Sequence, residues 1–231
     1  MIKHFIPMAI LTLIGILLMA KVVDAEVIYN QETKVLHVSG ETNVTLFYDT
    51  YRTLNTKEVD LVYMDGLGGD AYNMYRMMWA IKKHNVPVVI PQGKVCASAC
   101  AFAAMSGSKL TIDGTMWIHR GTRFVYDFED TLDGIYYYGQ MVALSMVKPM
   151  REAGYKFNLI DSVVKYTDHD NWYVVTNDSQ LDNCRYDKEL EDALDKYFEG
   201  CYIKAGVYST KDAIKIHQRK AIESIETNLG R

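Results

Sequence analysis

A stretch of small residues from Val95 to Ala104 contains the side chain best suited to nucleophilic chemistry. Ser98 stands between two alanines there, after an apolar run and a Gln-Gly turn and before an apolar helical pattern. A sharp turn from strand to helix exposes a serine Oγ beside backbone N–H groups that lack partners in the first helical turn. The stretch therefore predicts a nucleophile beside half of an oxyanion hole. In the alternative interpretation it is a tightly packed helix in which Ser98 is simply small.

Three other turns supply the groups that a serine nucleophile requires. Gly68 and Gly69 follow one apolar strand, His119 ends another, and Asp168 and Asp170 precede a third. In α/β folds such loops gather at one edge of the sheet, where ligands usually bind. There the histidine would accept the serine proton, and a carboxylate would fix the imidazole tautomer. Backbone N–H groups of the glycine turn and of the residue after the serine would bind the oxyanion, so the pattern favours acyl transfer.

No cofactor and no metal is expected at these turns. The glycine turn from Asp65 to Asp70 lacks the spacing of a dinucleotide fingerprint and the Lys-Ser/Thr ending of a phosphate loop. A connector without a ligand is therefore the alternative for this turn. Cys96, Cys100 and His119 could share a metal, but a fourth strong ligand is not evident. Thiol or metal chemistry is kept as a competing hypothesis.

The elements that must position these groups follow from hydrophobic periodicity. Apolar or alternating runs predict strands at 26–29, 34–38, 60–64, 86–90, 110–112, 115–119 and 172–175. Helical spacing predicts helices at 44–51, 71–83, 98–106, 129–153, 157–164, 187–198 and 211–228. Because strands and helices alternate, we expect α/β layering. We expect one domain over residues 26–183 with a helical C-terminal extension over 184–231.

Composition limits the classes of function. The chain has 231 residues, of which 49% are hydrophobic and 23% charged, which is typical of a globular protein with a sizeable core. Its formal net charge is −4, so bulk electrostatics does not favour nucleic-acid binding.

Residues 1–25 predict export. Lys3 and His4 precede an uncharged apolar run from Phe5 to Ala20, and a Val-Asp-Ala sequence ends at Ala25. This pattern is typical of a secretory signal peptide with cleavage after Ala25. The alternative is an uncleaved membrane anchor through residues 5–23, since a spanning helix needs about 20 apolar residues. In both cases the rest of the chain would be exported, to the periplasm or out of the cell.

Export makes the four cysteines candidates for disulfides. Cys184 and Cys201 bracket an acidic helical segment and form the favoured pair. Cys96 and Cys100 flank the serine and could form a bridge only if their Cα atoms lie within about 7 Å. As free thiols they would be a rival nucleophile pair.

The order of these motifs resembles the ClpP/crotonase superfamily. Within it the chain is similar to ClpP-like serine peptidases, in a secreted branch with the Cys-Ala-Ser-Ala-Cys form. Leu67-Gly68-Gly69 stands where the family has Pro-Gly-Gly, and Ala97-Ser98-Ala99-Cys100-Ala101 stands where it has Ala-Ser-Met-Gly-Ala. Ile118-His119-Arg120 is similar to Ile-His-Gln, and His169-Asp170-Asn171-Trp172 is similar to Arg-Asp-Arg-Phe. The resemblance covers about residues 35–183.

The resemblance implies a serine triad and its oxyanion hole. Ser98 would be the nucleophile, His119 the base and Asp170 the third member, with Asp168 as the alternative to Asp170. The oxyanion donors would be the backbone amides of two further residues, Gly68 and Ala99.

The resemblance also implies an architecture and an activity. The fold would be a spiral of β-β-α units, and the chain would be an exported serine hydrolase of the peptidase type, acting on peptides or proteins. Homo-oligomeric rings would form through the long helix at 129–153.

Two rival interpretations remain. In the first, the same fold is an exported binding or assembly module whose site is catalytically inactive. In the second, the chain is a Ser–Lys peptidase with Lys148 as the base, although the positions of His119 and Asp170 argue against that.

Overall fold

The structure is a computed structural model that describes residues 25–120, 150–184, 201 and 203–228. The signal or anchor segment predicted before Ala25, most of the helix predicted at 129–153 and the acidic helix predicted at 187–198 lie outside these ranges. Within the described ranges, none of the helices has the length and apolar character needed to cross a membrane.

The first half of the described chain is built from three strands and two helices. They are β1 (Glu26–Asn30), β2 (Val35–Thr42), α1 (Val44–Thr56), β3 (Leu61–Gly69) and α2 (Ala71–His84). Both helices begin at side-chain caps, which satisfy N–H groups of the first turn. The Asn43 side chain accepts a hydrogen bond from the N–H of Leu46 at 2.9 Å, and Asp70 accepts one from the N–H of Asn73 at 2.7 Å.

The second half adds six strands and three helices. They are β4 (Val88–Ile90), β5 (Val95–Ala97), α3 (Ala99–Ala104), β6 (Leu110–Ile112), β7 (Thr115–Ile118), α4 (Phe157–Tyr166), β8 (Asn171–Val175), β9 (Val207–Ser209) and α5 (Thr210–Asn228). The predicted α/β class is confirmed at this level. Strands β5 and β9, each of three residues, were not predicted.

The nine strands form one mixed sheet that branches at β3. The beginning of β3, at Val62 and Tyr63, pairs in parallel with β4, which pairs with β6. Further along, β3 pairs instead with β5, through Gly66 and Cys96, and the order continues through β7, β8 and β9. The predicted strand at 60–64 therefore continues through the glycine turn to Gly69, so that β3 carries the glycines to the second branch.

Helix α3 lies inside the core rather than on its surface. All six of its residues are buried, which requires small side chains where the helix packs against α2 and β3. The surrounding core is rich in methionine, whose flexible side chain fills irregular gaps. The helix that starts after Ser98 is therefore held on all sides.

The end of the described chain joins the sheet. Strand β9 pairs antiparallel with β8, and Ala213 of α5 is fully buried against Ala97, Trp117 and Val174. The Nζ of Lys220 donates hydrogen bonds to the carbonyls of Ile112, Gly114 and Thr176, which fixes α5 to the β6–β7 turn and the end of β8.

All four cysteines form disulfides in the predicted pairs. Cys184 pairs with Cys201, and Cys96 pairs with Cys100, whose Cα atoms lie 5.2 Å apart. Two disulfides indicate that the protein matures in an oxidising, exported environment.

Candidate active site

The structure brings Ser98 and His119 into direct contact. The Oγ of Ser98 lies 2.7 Å from the Nε2 of His119, within hydrogen-bond distance. The contact depends on the parallel pairing of β5 with β7, in which Ala97 stands opposite Trp117. The N–H of Ser98 also donates to the carbonyl of Trp117 at 2.9 Å, so the serine turn is tied to the strand that carries the histidine.

Ser98 has a backbone conformation that non-glycine residues rarely adopt. Its φ is +53° and its ψ is −122°, at the junction of β5 and α3. Such a conformation costs of order 1–3 kcal/mol and persists only where the surrounding structure enforces it. A strained serine between a strand and a helix is also the arrangement that presents Oγ in hydrolases of the nucleophile-elbow type. This conformation favours the nucleophile over the interpretation in which Ser98 is only a small helix residue.

Gly68 lies directly against the serine turn. A Cβ atom at position 68 would stand 2.5 Å from the Cβ of Ser98 and 2.9 Å from the backbone N of Ala99. The φ of Gly68 is +97°, which also favours glycine. The two predicted oxyanion donors, Gly68 and Ala99, therefore both lie beside the nucleophile. Ala99 is the first residue of α3, where an N–H has no partner within the helix.

The disulfide between Cys96 and Cys100 closes a loop around Ser98. Cys96 lies in β5 and Cys100 in α3, with exposed fractions of 0% and 3%. Because both sulfurs are oxidised, these cysteines are neither nucleophiles nor metal ligands. The bridge instead connects the last strand residues to the first helical turn across the strained residue.

His119 is buried, with an exposed fraction of 6%. Burial lowers its pKa, and the nearby backbone carbonyl and charge of Asp168 raise it by less, while His169 lowers it further. The imidazole is therefore neutral at pH 7 and able to accept the proton of Ser98. Its Nδ1 is buried and has no side-chain partner among the described residues, and the backbone carbonyl of Asp168 is the group that most favours the protonated imidazole.

The predicted third triad member does not reach His119. The carboxylate of Asp170 lies 2.9 Å from the Nε2 of His169, and both side chains are 71% exposed. The carboxylate of Asp168 instead accepts hydrogen bonds from the N–H groups of Asp170 and Asn171. These bonds, with one from the Asn171 side chain, lower the pKa of Asp168. Each carboxylate is engaged within its own turn, and neither accepts a hydrogen bond from Nδ1 of His119.

The aromatic ring of Trp172 covers the imidazole instead. The two ring centroids lie 4.1 Å apart, with an angle of 38° between the planes. The sequence marks Trp172 only as a residue of a predicted strand. Its contact with His119 follows from the pairing of β8 with β7. Because Ile118 stands opposite Tyr173, the antiparallel register brings His119 opposite Trp172.

A separate cleft of about 570 Å³ lies between α5 and the β6–β7 turn. Its lining includes Ile112, Asp113, Ile216, Arg219, Lys220 and Glu223. These side chains mix both charges and contain no nucleophile beside a base. The chemistry therefore indicates the Ser98–His119 pair, and not this cleft, as the candidate site.

Among the described residues, no three His, Cys, Asp or Glu side chains are grouped so that they could hold a metal ion. Comparison with protein-family models gives no match, and comparison with curated proteins gives none either. The candidate function therefore depends on the geometry of the site and on the resemblance of its motifs.

Proposed function

We propose that this protein is an exported serine hydrolase of the ClpP-like type, with peptides or proteins as its substrates. The observation that carries the proposal is the 2.7 Å contact between Oγ of Ser98 and Nε2 of His119, made by a serine in a strained turn. A nucleophile within hydrogen-bond reach of a buried neutral imidazole is the minimal machinery for acyl transfer.

In the proposed reaction, Nε2 of His119 accepts the proton of Ser98 while Oγ attacks the substrate carbonyl carbon. The oxyanion that forms accepts hydrogen bonds from the N–H groups of Gly68 and Ala99. When the tetrahedral intermediate collapses, the imidazolium donates its proton to the leaving amine and an acyl-serine remains. A water molecule then attacks the acyl-serine while His119 accepts its proton. When this second intermediate collapses, Oγ of Ser98 regains a proton from His119 and the carboxylic acid is released. Each oxyanion donor is worth about 3 kcal/mol of barrier.

The finer architecture is part of the same proposal. The branch of the sheet at β3 and the burial of α3 are compatible with the β-β-α spiral of the ClpP/crotonase superfamily. Homo-oligomeric assembly, and an N-terminal segment that acts as signal peptide or membrane anchor, also belong to this proposal. An ATP-driven unfoldase partner is not part of it, because the two disulfides indicate an exported location.

Labelling with a fluorophosphonate probe tests the proposal. The oxidised native chain is expected to become covalently labelled, and Ser98→Ala and His119→Ala are expected to lose the label. Ser106→Ala is the matched control, because Ser106 is a buried serine just beyond α3 whose Oγ donates to the carbonyl of Ala103 at 2.6 Å. A native chain that folds but is not labelled would overturn the hydrolase proposal.

The second candidate function is a binding or assembly module on the same fold. The observation that favours it is Nδ1 of His119, which has no carboxylate partner among the described residues. This candidate predicts a folded, unlabelled native chain, with Ser98→Ala indistinguishable from it in stability and probe reaction.

A further inference from the structure

The contact between Trp172 and His119 is built into the strand pairing. The register that opposes Ile118 to Tyr173 extends by one step to oppose His119 to Trp172. Trp172 also lies near Trp117, with ring centroids 5.9 Å apart, as diagonal neighbours on paired strands do. The position of the indole is therefore set by a strand of the sheet.

The indole is anchored from its other side by the start of α5. Its Nε1–H donates to the Oγ1 of Thr210 at 2.9 Å. Thr210 itself donates to the carbonyl of Asp170, from its N–H at 2.8 Å and from its Oγ1 at 3.1 Å. A hydrogen bond at one edge and a strand backbone at the other leave the ring little freedom to turn.

We propose that Trp172 is a positioning residue for His119, which it contacts on the face of the imidazole and not at the Nδ1 edge where the carboxylate of a Ser-His-Asp triad would lie. The inference rests on the proposed hydrolase function. The indole face restricts rotation of the imidazole, keeps water from it, and attracts the imidazolium that forms when Ser98 gives up its proton, because aromatic faces attract cations. The other groups that act on the imidazole are the backbone carbonyl and the charge of Asp168 and the charge of His169, all in the turn before β8.

The first experiment measures the rate of fluorophosphonate labelling against pH for three variants. Trp172→Leu is expected to slow labelling roughly tenfold, and Trp172→Phe is expected to restore most of the rate, since phenylalanine keeps a π face. Leucine keeps the apolar cover but cannot attract the imidazolium, so the acidic limb of the profile should move to lower pH. Asp170→Asn is expected to stay within about twofold of the native rate, since its carboxylate contacts His169.

The second experiment detects the contact without activity. In a Trp79→Phe/Trp117→Phe background, Trp172 is the only remaining tryptophan of the three. Protonation of the His119 imidazole, whose ring centroid lies 4.1 Å from that of the indole, is expected to quench the fluorescence of Trp172 as the pH falls. His119→Gln is expected to remove that step. Circular dichroism shows that each variant is folded.

The outcomes separate the two proposals. An unlabelled native chain contradicts the hydrolase, while the fluorescence step still shows whether Trp172 holds His119. A labelled native chain overturns the role of Trp172 if Trp172→Leu keeps the native rate and pH profile. A labelled chain that loses its activity in Asp170→Asn overturns it as well, because a carboxylate would then be the positioning group.

Discussion

Gly68 and Ser98 show how closely backbone is packed at the candidate site. Ser98 keeps φ at +53° while its Cβ lies where a side chain at position 68 would begin. The sequence marked both residues as parts of separate turns. Their contact explains why the glycine turn must pass so near the nucleophile, since an oxyanion donor has to stand about 3 Å from the developing charge.

Gly68→Ala is expected to abolish fluorophosphonate labelling and to lower the free energy of unfolding by on the order of 2–5 kcal/mol. The added methyl group would lie 2.5 Å from the Cβ of Ser98, and the residue would be strained at a φ of +97°. Labelling and urea unfolding measure the two effects. Gly154→Ala is the matched control, because Gly154 has a φ of +87° but open space around it. Equal effects from both substitutions would show that backbone strain alone, without the contact to Ser98, explains the result.

At the scale of elements, we expect one disulfide to stabilise the fold as a whole and the other to stabilise the turn at Ser98. The pair Cys184–Cys201 has a sequence separation of 17, so in the chain-entropy model it stabilises the fold by about 3 kcal/mol. The pair Cys96–Cys100 has a separation of 4 and, by the same relation, contributes about 2 kcal/mol. Because this bridge joins β5 to α3, we expect it to hold the two elements in the orientation that keeps Ser98 strained.

Replacing each pair by alanines is expected to separate the effect on the Ser98 turn from the effect on overall stability. Cys96→Ala/Cys100→Ala should slow fluorophosphonate labelling at least tenfold in the folded protein, because the turn can relax. Cys184→Ala/Cys201→Ala should lower the free energy of unfolding by about 3 kcal/mol with labelling near the native rate. Urea unfolding monitored by circular dichroism accompanies both measurements. The effect on the Ser98 turn is contradicted if the first double variant folds and labels as fast as the native chain.

Helix α5 links the candidate site to the opposite end of the sheet. Its first residue, Thr210, bonds to Trp172 beside His119, and Lys220 lies two and a half to three turns further along. The Nζ of Lys220 donates to three carbonyls, and burial lowers its pKa. The helix predicted as part of a C-terminal extension therefore supports the residues around the base, while the predicted boundary at residue 184 stays a prediction.

At the scale of the whole molecule, three histidines make stability depend on pH. Burial lowers the pKa of His84, His119 and His217 in the folded protein, and the neighbouring lysines Lys83 and Lys220 lower those of His84 and His217 further. The unfolded chain binds protons near the ordinary histidine value of about 6.5. Below that pH the unfolded state holds more protons than the folded state, so stability falls as the pH falls.

The urea midpoint is therefore expected to be lower at pH 5.5 than at pH 7.5, with little change between pH 7.5 and 8.5. Carboxylates with lowered pKa values, such as Asp168 and Asp212, add to the loss only at more acidic pH, below their unfolded value near 4. His217→Gln should reduce the difference, with the exposed His169→Gln as control. An unchanged midpoint from pH 7.5 to 5.5 would contradict the lowered pKa values of these three histidines.

The sequence by itself determined most of the helices and strands described here and the positions of the chemical motifs. The strands at 26–29, 34–38 and 172–175 and the helices at 44–51, 71–83 and 211–228 were predictable, because hydrophobic period and caps act within a few residues. The same local logic marked Ser98 at a strand-to-helix turn and His119 at a strand end. It also marked the cysteine pairs, since each pair brackets a single segment.

The tertiary structure decided which of these residues meet. The contact between Ser98 and His119 depends on the register of β5 with β7, and the β7–β8 register places Trp172 on the imidazole. The resemblance to ClpP-like peptidases implied Asp170 as the third triad member, whereas the residues alone left Asp168 and Asp170 open. Its side chain instead pairs with His169, since in a turn the direction of a side chain is set by local hydrogen bonds. The position of the Ser98 turn was therefore predictable from nearby residues. Its backbone conformation and its contacts were determined by the pairing of strands that lie far apart in the chain.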